Sequence, residues 1–150
     1  MTDSSCEMPD ANPDDPEIAA LLKSAKTIVV VGLSGNPEKD SHRVASYLQG
    51  KGYRIVPVNP MEARILGETS YPDLLAIPFS VDIVDVFRKV EAIPEVVEQS
   101  IAIKARAVWM QRGLAHHESA EKARNSGMIV VQSKCLKVEH QRLAASGTLD

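Results

Sequence analysis

Five short apolar runs recur along the chain: TIVVVGL (27–33), YRIVPVN (53–59), VDIVDVF (81–87), AVWMQ (107–111) and MIVVQ (128–132). Each has the length of a strand, and most lack the strict apolar–polar alternation of a sheet with one wet face, so they predict strands buried on both sides. The segments between them predict helices over 40–50, 72–76, 94–104 and 116–126, with Gly52 and Gly127 as closing residues. Ahead of the first run, Asp15-Pro16-Glu17 supplies an N-cap, a first-turn proline and a first-turn acid. Ile18, Leu21, Leu22 and Ala25 then fall at i, i+3, i+4 and i+7, which predicts a short amphipathic helix. Strands that alternate with helices predict a parallel sheet between two helix layers. With right-handed crossovers this is a Rossmann-like doubly wound α/β fold: a five-stranded, mostly parallel sheet in a single domain, without internal repeats.

Outside that pattern, residues 1–14 are acidic, rich in Pro, Ser and Asp, and poor in apolar side chains, and predict a flexible tail. The domain is expected over 15–143, with a short C-terminal tail at 144–150. A chain of 150 residues that is 44% apolar can bury one core without disulfides or metal. Its two cysteines, Cys6 and Cys135, do not suggest a disulfide framework and favour a reducing compartment. The absence of a membrane-length apolar run or a signal core predicts a soluble, cytoplasmic protein. Charge is uneven: residues 1–25 hold one lysine against six carboxylates, so the remainder of a chain with net charge −3 is slightly positive. That near-neutral remainder, with one Trp, three Tyr and two Phe, argues against nucleic-acid binding.

In open parallel sheets the ligand lies beyond the carboxyl ends of the strands. The turn after the first run, Gly32-Leu33-Ser34-Gly35-Asn36, offers small residues and backbone donors to a phosphate, with Lys39 and Arg43 at the start of the following helix to neutralise it. A dinucleotide fingerprint begun at Gly32 would require glycine at 34 and 37, where Ser34 and Pro37 stand. The second run ends in Val58-Asn59-Pro60, without the carboxylate that holds a ribose. A nicotinamide cofactor therefore fits poorly. Cys135, just beyond the last strand, is a candidate for thiol exchange, weighed against a plain buried thiol. His116 and His117 lack metal-ligand spacing, and Asp82 and Asp85 should face opposite sides of their strand, so neither pair suggests a metal or acid–base centre.

The ordered motifs IVVVGLSGNPEKDSHRVASYLQGKGYRIVPVNP, LGETSYPDL, VDIVDVFR, VWMQRG and KCLKVEHQRL resemble the stand-alone CoA-binding-domain family, which is related to the amino-terminal domain of the succinyl-CoA synthetase α subunit. The resemblance spans about residues 16–143. It implies that Gly32, Ser34, Gly35, Asn36 and Pro37 form the loop under the coenzyme A phosphates, with Lys39 and Arg43 adding charge. Val58, Asn59 and Pro60, with Arg64 and Tyr71, would line the adenosine side. Val86, Phe87 and Arg88, with Met110, Gln111 and Gly113, would border the pantetheine path. Nothing in the chain matches the synthetase domain that carries a phosphorylated histidine, so its chemistry does not transfer. The expected function is non-catalytic binding of coenzyme A or an acyl-CoA, with no nucleic-acid or membrane partner. The alternatives are an NAD(P)-binding enzyme or redox sensor, and a protein-interaction domain.

Overall fold

A computed structural model describes residues 12–149. Five strands, β1 (Thr27–Val31), β2 (Arg54–Val58), β5 (Ile83–Val86), β6 (Ala107–Met110) and β7 (Ile129–Val131), form one parallel sheet in the order β2-β1-β5-β6-β7. The helices are α1 (Asp15–Ser24), α2 (Asp40–Gly50), α3 (Ile93–Ala102), α4 (His117–Asn125) and α5 (Leu136–Ala145). The chain runs outward from β1 to β2, then crosses back to β5 on the other side of β1. The topological switch point therefore lies between β1 and β5, where a doubly wound sheet opens a crevice.

The alternation of side chains along each strand divides the core in two. Ile28, Val30, Ile55, Ile83, Trp109 and Val131 pack against Ile18, Leu21 and Leu22 of α1, Val44 and Leu48 of α2, and Leu136 and Leu143 of α5. Val29, Val31, Val56, Val84, Val86, Val108 and Met110 pack on the opposite face against Ile93, Val96 and Val97 of α3 and Ala120 and Ala123 of α4. All five β1 side chains are buried, as a central parallel strand requires.

Several elements differ from the sequence expectations. The helix expected over 72–76 is a single 3₁₀ turn, Leu74–Ala76, capped by the Asp73 carboxylate on the Ala76 N–H. A two-stranded antiparallel hairpin, β3 (Arg64–Ile65) and β4 (Glu68–Thr69), precedes it. Its turn residues Leu66 and Gly67 both have positive φ, 55° and 78°, the mirror-image geometry that two-residue hairpins favour. Of the C-terminal tail expected over 144–150, the described part is not simply a tail: α5 continues to Ala145, the Thr148 N–H donates to the Leu143 carbonyl, and Leu149 packs on the core.

At the N-terminus, residues 1–11, including Cys6, lie outside the described residues, but the last part of the expected tail is ordered. The Asn12 side-chain amide pairs with the backbone of Gln132, donating to its carbonyl at 2.8 Å and accepting from its N–H at 2.7 Å. Asp14 caps α1 by accepting from the Glu17 N–H. These polar contacts need no apolar run, which is why hydrophobic patterning did not reveal them. The opposite edge of the sheet is also covered: Tyr71 bridges to Val58, its N–H donating to the Pro57 carbonyl and its own carbonyl accepting from the Asn59 N–H. Among the described residues no helix is long and apolar enough to cross a membrane.

Candidate functional site

The crevice at the switch point opens into a cleft of about 840 Å³, within the range of small-molecule sites. Its floor is set by Gly32, whose φ of 88° turns the chain out of β1 while its N–H donates to the Val58 carbonyl. A Cβ here would stand 2.1 Å from the Phe87 carbonyl oxygen. Only glycine lets the exits of β1 and β5 meet this closely.

The turn beyond Gly32 is built from its own short polar side chains. The Ser34 N–H donates to the hydroxyl of buried Ser41, the Asn36 N–H to the Ser34 hydroxyl, and the Glu38 N–H to the Asn36 side-chain carbonyl, each at 3.0 Å. The Gly35 N–H donates to the Glu62 carboxylate at 3.0 Å. Next comes the N-terminus of α2, whose first-turn N–H groups have no intrahelical acceptors; its N-cap, Lys39, makes no side-chain capping bond. The turn thus delivers a helix N-terminus, with its partial positive charge, to the mouth of the cleft.

Four cationic side chains line that space: Lys39, Arg88, Lys89 and Arg112. None pairs with a carboxylate among the described residues. The one lining acid, Asp40, is bound to Arg43. The remaining wall is uncharged and partly apolar, with Phe87, Gln111, Leu114, Cys135 and Val138. Cys135 is the N-cap of α5, and the Trp109 indole N–H, donating to the Lys134 carbonyl at 2.8 Å, pins the loop that carries it.

Of the residues expected at the site, Gly32, Ser34, Lys39, Phe87, Arg88, Gln111 and Cys135 line this one cleft. Gly35, Asn36 and Pro37 complete the turn at its edge. Gly113, at φ 87°, donates its N–H to the Ser133 hydroxyl in the next loop. Arg43 is not a lining residue: its guanidinium is taken up by Asp40 and the Glu38 carbonyl. Val86 and Met110, expected to border the pantetheine path, are fully buried in the α3-side core and do not line the cleft. Each is one step out of phase with its cleft-lining neighbour, Phe87 or Gln111, and the pleat sends the two to opposite faces.

The residues expected on the adenosine side are spread around the β2 exit. Val58 lines a separate recess of about 120 Å³ together with Arg88, Asp73 and Leu74. The Asn59 amide is committed to the protein, donating to the Leu33 carbonyl at 2.9 Å and accepting from the Met61 N–H at 2.8 Å. Pro60 is exposed, Arg64 donates to the Gly67 carbonyl within the hairpin, and Tyr71 stands edge-on to Phe79.

The sequence did not single out Glu62, and it did not reveal what surrounds Asp85. On β5, level with Val30 and Trp109, Asp85 is fully buried, and burial pushes its carboxyl up to about 7 although the Gln111 amide donates to it. Its second oxygen has no partner among the described residues. Gln111 therefore faces the cleft with a buried carboxyl holding it from below. Asp82, at the other end of the strand, clamps the sheet by accepting from the Lys26 and Thr27 N–H groups at 2.8 and 3.0 Å. Partial burial raises its carboxyl, but these donors and Arg106 outweigh that and hold it below the usual range. His116 accepts from the Ser119 N–H and caps α4, and His140 meets the Tyr47 hydroxyl at 2.9 Å between α2 and α5. Among the described residues no three His, Cys, Asp or Glu side chains come together as a metal site.

Comparison with known proteins agrees with this architecture. Uncharacterized protein YneT of Bacillus subtilis (strain 168) is 39% identical over 129 residues, covering 86% of this chain and 96% of its own. The solved structure of a hypothetical protein from Pyrococcus horikoshii OT3 is 37% identical with a TM-score of 0.87, over 96% of this chain and 99% of that one. A Thermus thermophilus structure is 40% identical with a TM-score of 0.82, over 87% and 99%. The model of the family described as the CoA binding domain matches residues 26–141, a span that begins just before β1 and ends within α5. The chain belongs to the CoA binding domain family.

Proposed function

We propose that the cleft binds coenzyme A or an acyl-CoA, and that the protein is a cytoplasmic binding protein with no catalysis of its own. The observation that carries this reading is the set of four cations, without carboxylate partners among the described residues, that line a cleft of about 840 Å³ at a helix N-terminus. Such a set suits a ligand with several phosphate charges. Lys39 and the turn from Ser34 to Asn36 would hold phosphate, while Phe87, Leu114, Gln111 and Val138 offer an uncharged path for a long neutral arm. Among the described lining residues there is no histidine, and the single acid is engaged by Arg43, which favours binding over general acid–base chemistry. When bound, coenzyme A supplies a thiol or thioester. Cys135 shares the same cleft and would be the protein's partner in thiol–disulfide exchange with oxidised coenzyme A.

A thermal scan tests the ligand. A ligand at 100 times its Kd stabilises the native state by about 2.7 kcal/mol, or roughly 5–10 °C for a chain of this size. Coenzyme A or acetyl-CoA should give that shift and NADH should not. Stabilisation by NADH with none by either CoA species would overturn the reading.

A further inference from the structure

Glu62 sits where the turn would offer an N–H to an anion. It is exposed, in the loop after β2, and that loop is folded back by Asn59, which binds the Leu33 carbonyl on one side and the Met61 N–H on the other. The fold-back brings the Glu62 carboxylate onto the Gly35 N–H at 3.0 Å. The fit depends on glycine: a Cβ at position 35 would meet the two carboxylate oxygens at 2.3 and 2.7 Å. Glu62 has no cationic partner among the described residues, although four unpaired cations line the adjoining cleft. Its carboxylate is therefore held by a neutral backbone donor, much as an anionic ligand oxygen would be.

We propose that Glu62 is an internal competitor for the phosphate-binding turn, occupying the Gly35 N–H in the unliganded protein and giving it up to a phosphoryl oxygen of the ligand. The proposal rests on the reading of the cleft as a coenzyme A site. One N–H cannot serve two anions, and a carboxylate left beside an incoming phosphate repels it. Displacement is feasible because a single hydrogen bond and no ion pair hold an exposed side chain in place. The consequence is selectivity. A neutral ligand gains nothing at this N–H, whereas a phosphorylated one replaces Glu62 with a more highly charged acceptor. The competitor also lowers apparent affinity by the fraction of molecules whose turn is already filled. A turn filled in about nine molecules of ten weakens binding about tenfold.

The test compares the native protein with Glu62→Gln and Glu62→Ala by isothermal titration calorimetry, using coenzyme A and, separately, inorganic pyrophosphate. Both probes should bind Glu62→Ala about three- to tenfold more tightly, with Glu62→Gln between, since its amide keeps an acceptor but loses the charge. The Gly35 amide resonance should move on adding pyrophosphate to Glu62→Ala, and less in the native protein at the same concentration. If coenzyme A binds none of the three proteins but pyrophosphate tightens, the coenzyme A reading fails and the competitor stands. If neither probe tightens in Glu62→Ala, the proposal is overturned. Weaker binding overturns it too, and makes Glu62 an acceptor for the ligand, as for a ribose hydroxyl.

Discussion

Replacing Asp85 by Asn should stabilise the protein at pH 8 and remove a downward slope of stability with pH. The native carboxyl is fully buried, has one oxygen without a partner, and titrates at about 7, against 3.8 for the free side chain. Across that window the folded state keeps a proton that the unfolded state releases. Stability from this group is therefore fully present below pH 4 and lost as pH rises through 7. At about 1.36 kcal/mol per pH unit, the loss reaches up to about 4 kcal/mol by pH 8. Asparagine carries no charge and keeps the oxygen that accepts from Gln111, but its amide puts two donors where no acceptor stands, at a cost of about 1–3 kcal/mol. The two effects oppose each other at pH 8, leaving a net gain of about 1–3 kcal/mol, whereas at pH 5 the native protein has lost only about 1.6 kcal/mol and the two effects roughly cancel. Urea denaturation of both proteins at pH 5 and pH 8, at constant ionic strength, reads the difference. Carboxylates such as Asp82 titrate in both proteins and cancel. Parallel stabilities at the two pH values would refute the buried, protonated carboxyl.

Lys39→Ala should weaken coenzyme A binding by about 1–2 kcal/mol and flatten its salt dependence, whereas Arg43→Ala should change affinity little, because Arg43 is engaged by Asp40 and Glu38; calorimetry at two salt concentrations checks both. Gly32→Ala should destabilise the fold by at least about 2 kcal/mol in denaturant titrations, since its Cβ would strike the Phe87 carbonyl from a positive φ. In a Cys6→Ser background, incubation with oxidised coenzyme A should add one coenzyme A to the protein by intact mass and release the other as free thiol, with a further Cys135→Ser change abolishing the adduct. An unchanged mass for the Cys6→Ser protein at alkaline pH would remove Cys135 from the site.

The strands were legible because burial on both faces writes itself into the chain as apolar runs, and the turn was legible because it follows the first of them. What periodicity could not reach was short or held by polar contacts. The hairpin at 64–69 has two residues per strand, too few to show a period of two. The last turn of α5 and Asn12 depend on backbone and amide hydrogen bonds. Within the site, the phase of the pleat separated Phe87 from Val86 and Gln111 from Met110, a one-residue distinction that the apolar run around each pair does not encode. Arg43 stood at the expected point of the chain, but a neighbour one turn back, Asp40, draws it into a local ion pair. Glu62 reaches Gly35 across 27 residues only because Asn59 folds the intervening loop, a contact with no local signature.

The covering of the sheet's two edges bears on how copies of this protein meet. An uncovered edge strand invites a second chain to extend the sheet, a ready route to β-mediated aggregation. Here the Asn12 amide occupies both backbone groups of Gln132 immediately beyond β7, and on the far side Tyr71 engages the Pro57 carbonyl, where proline in any case has no N–H to offer. Among the described residues each cover rests on one residue. Loss of either should show first as concentration-dependent turbidity on heating, at temperatures where the cleft and its ligand affinity are still intact.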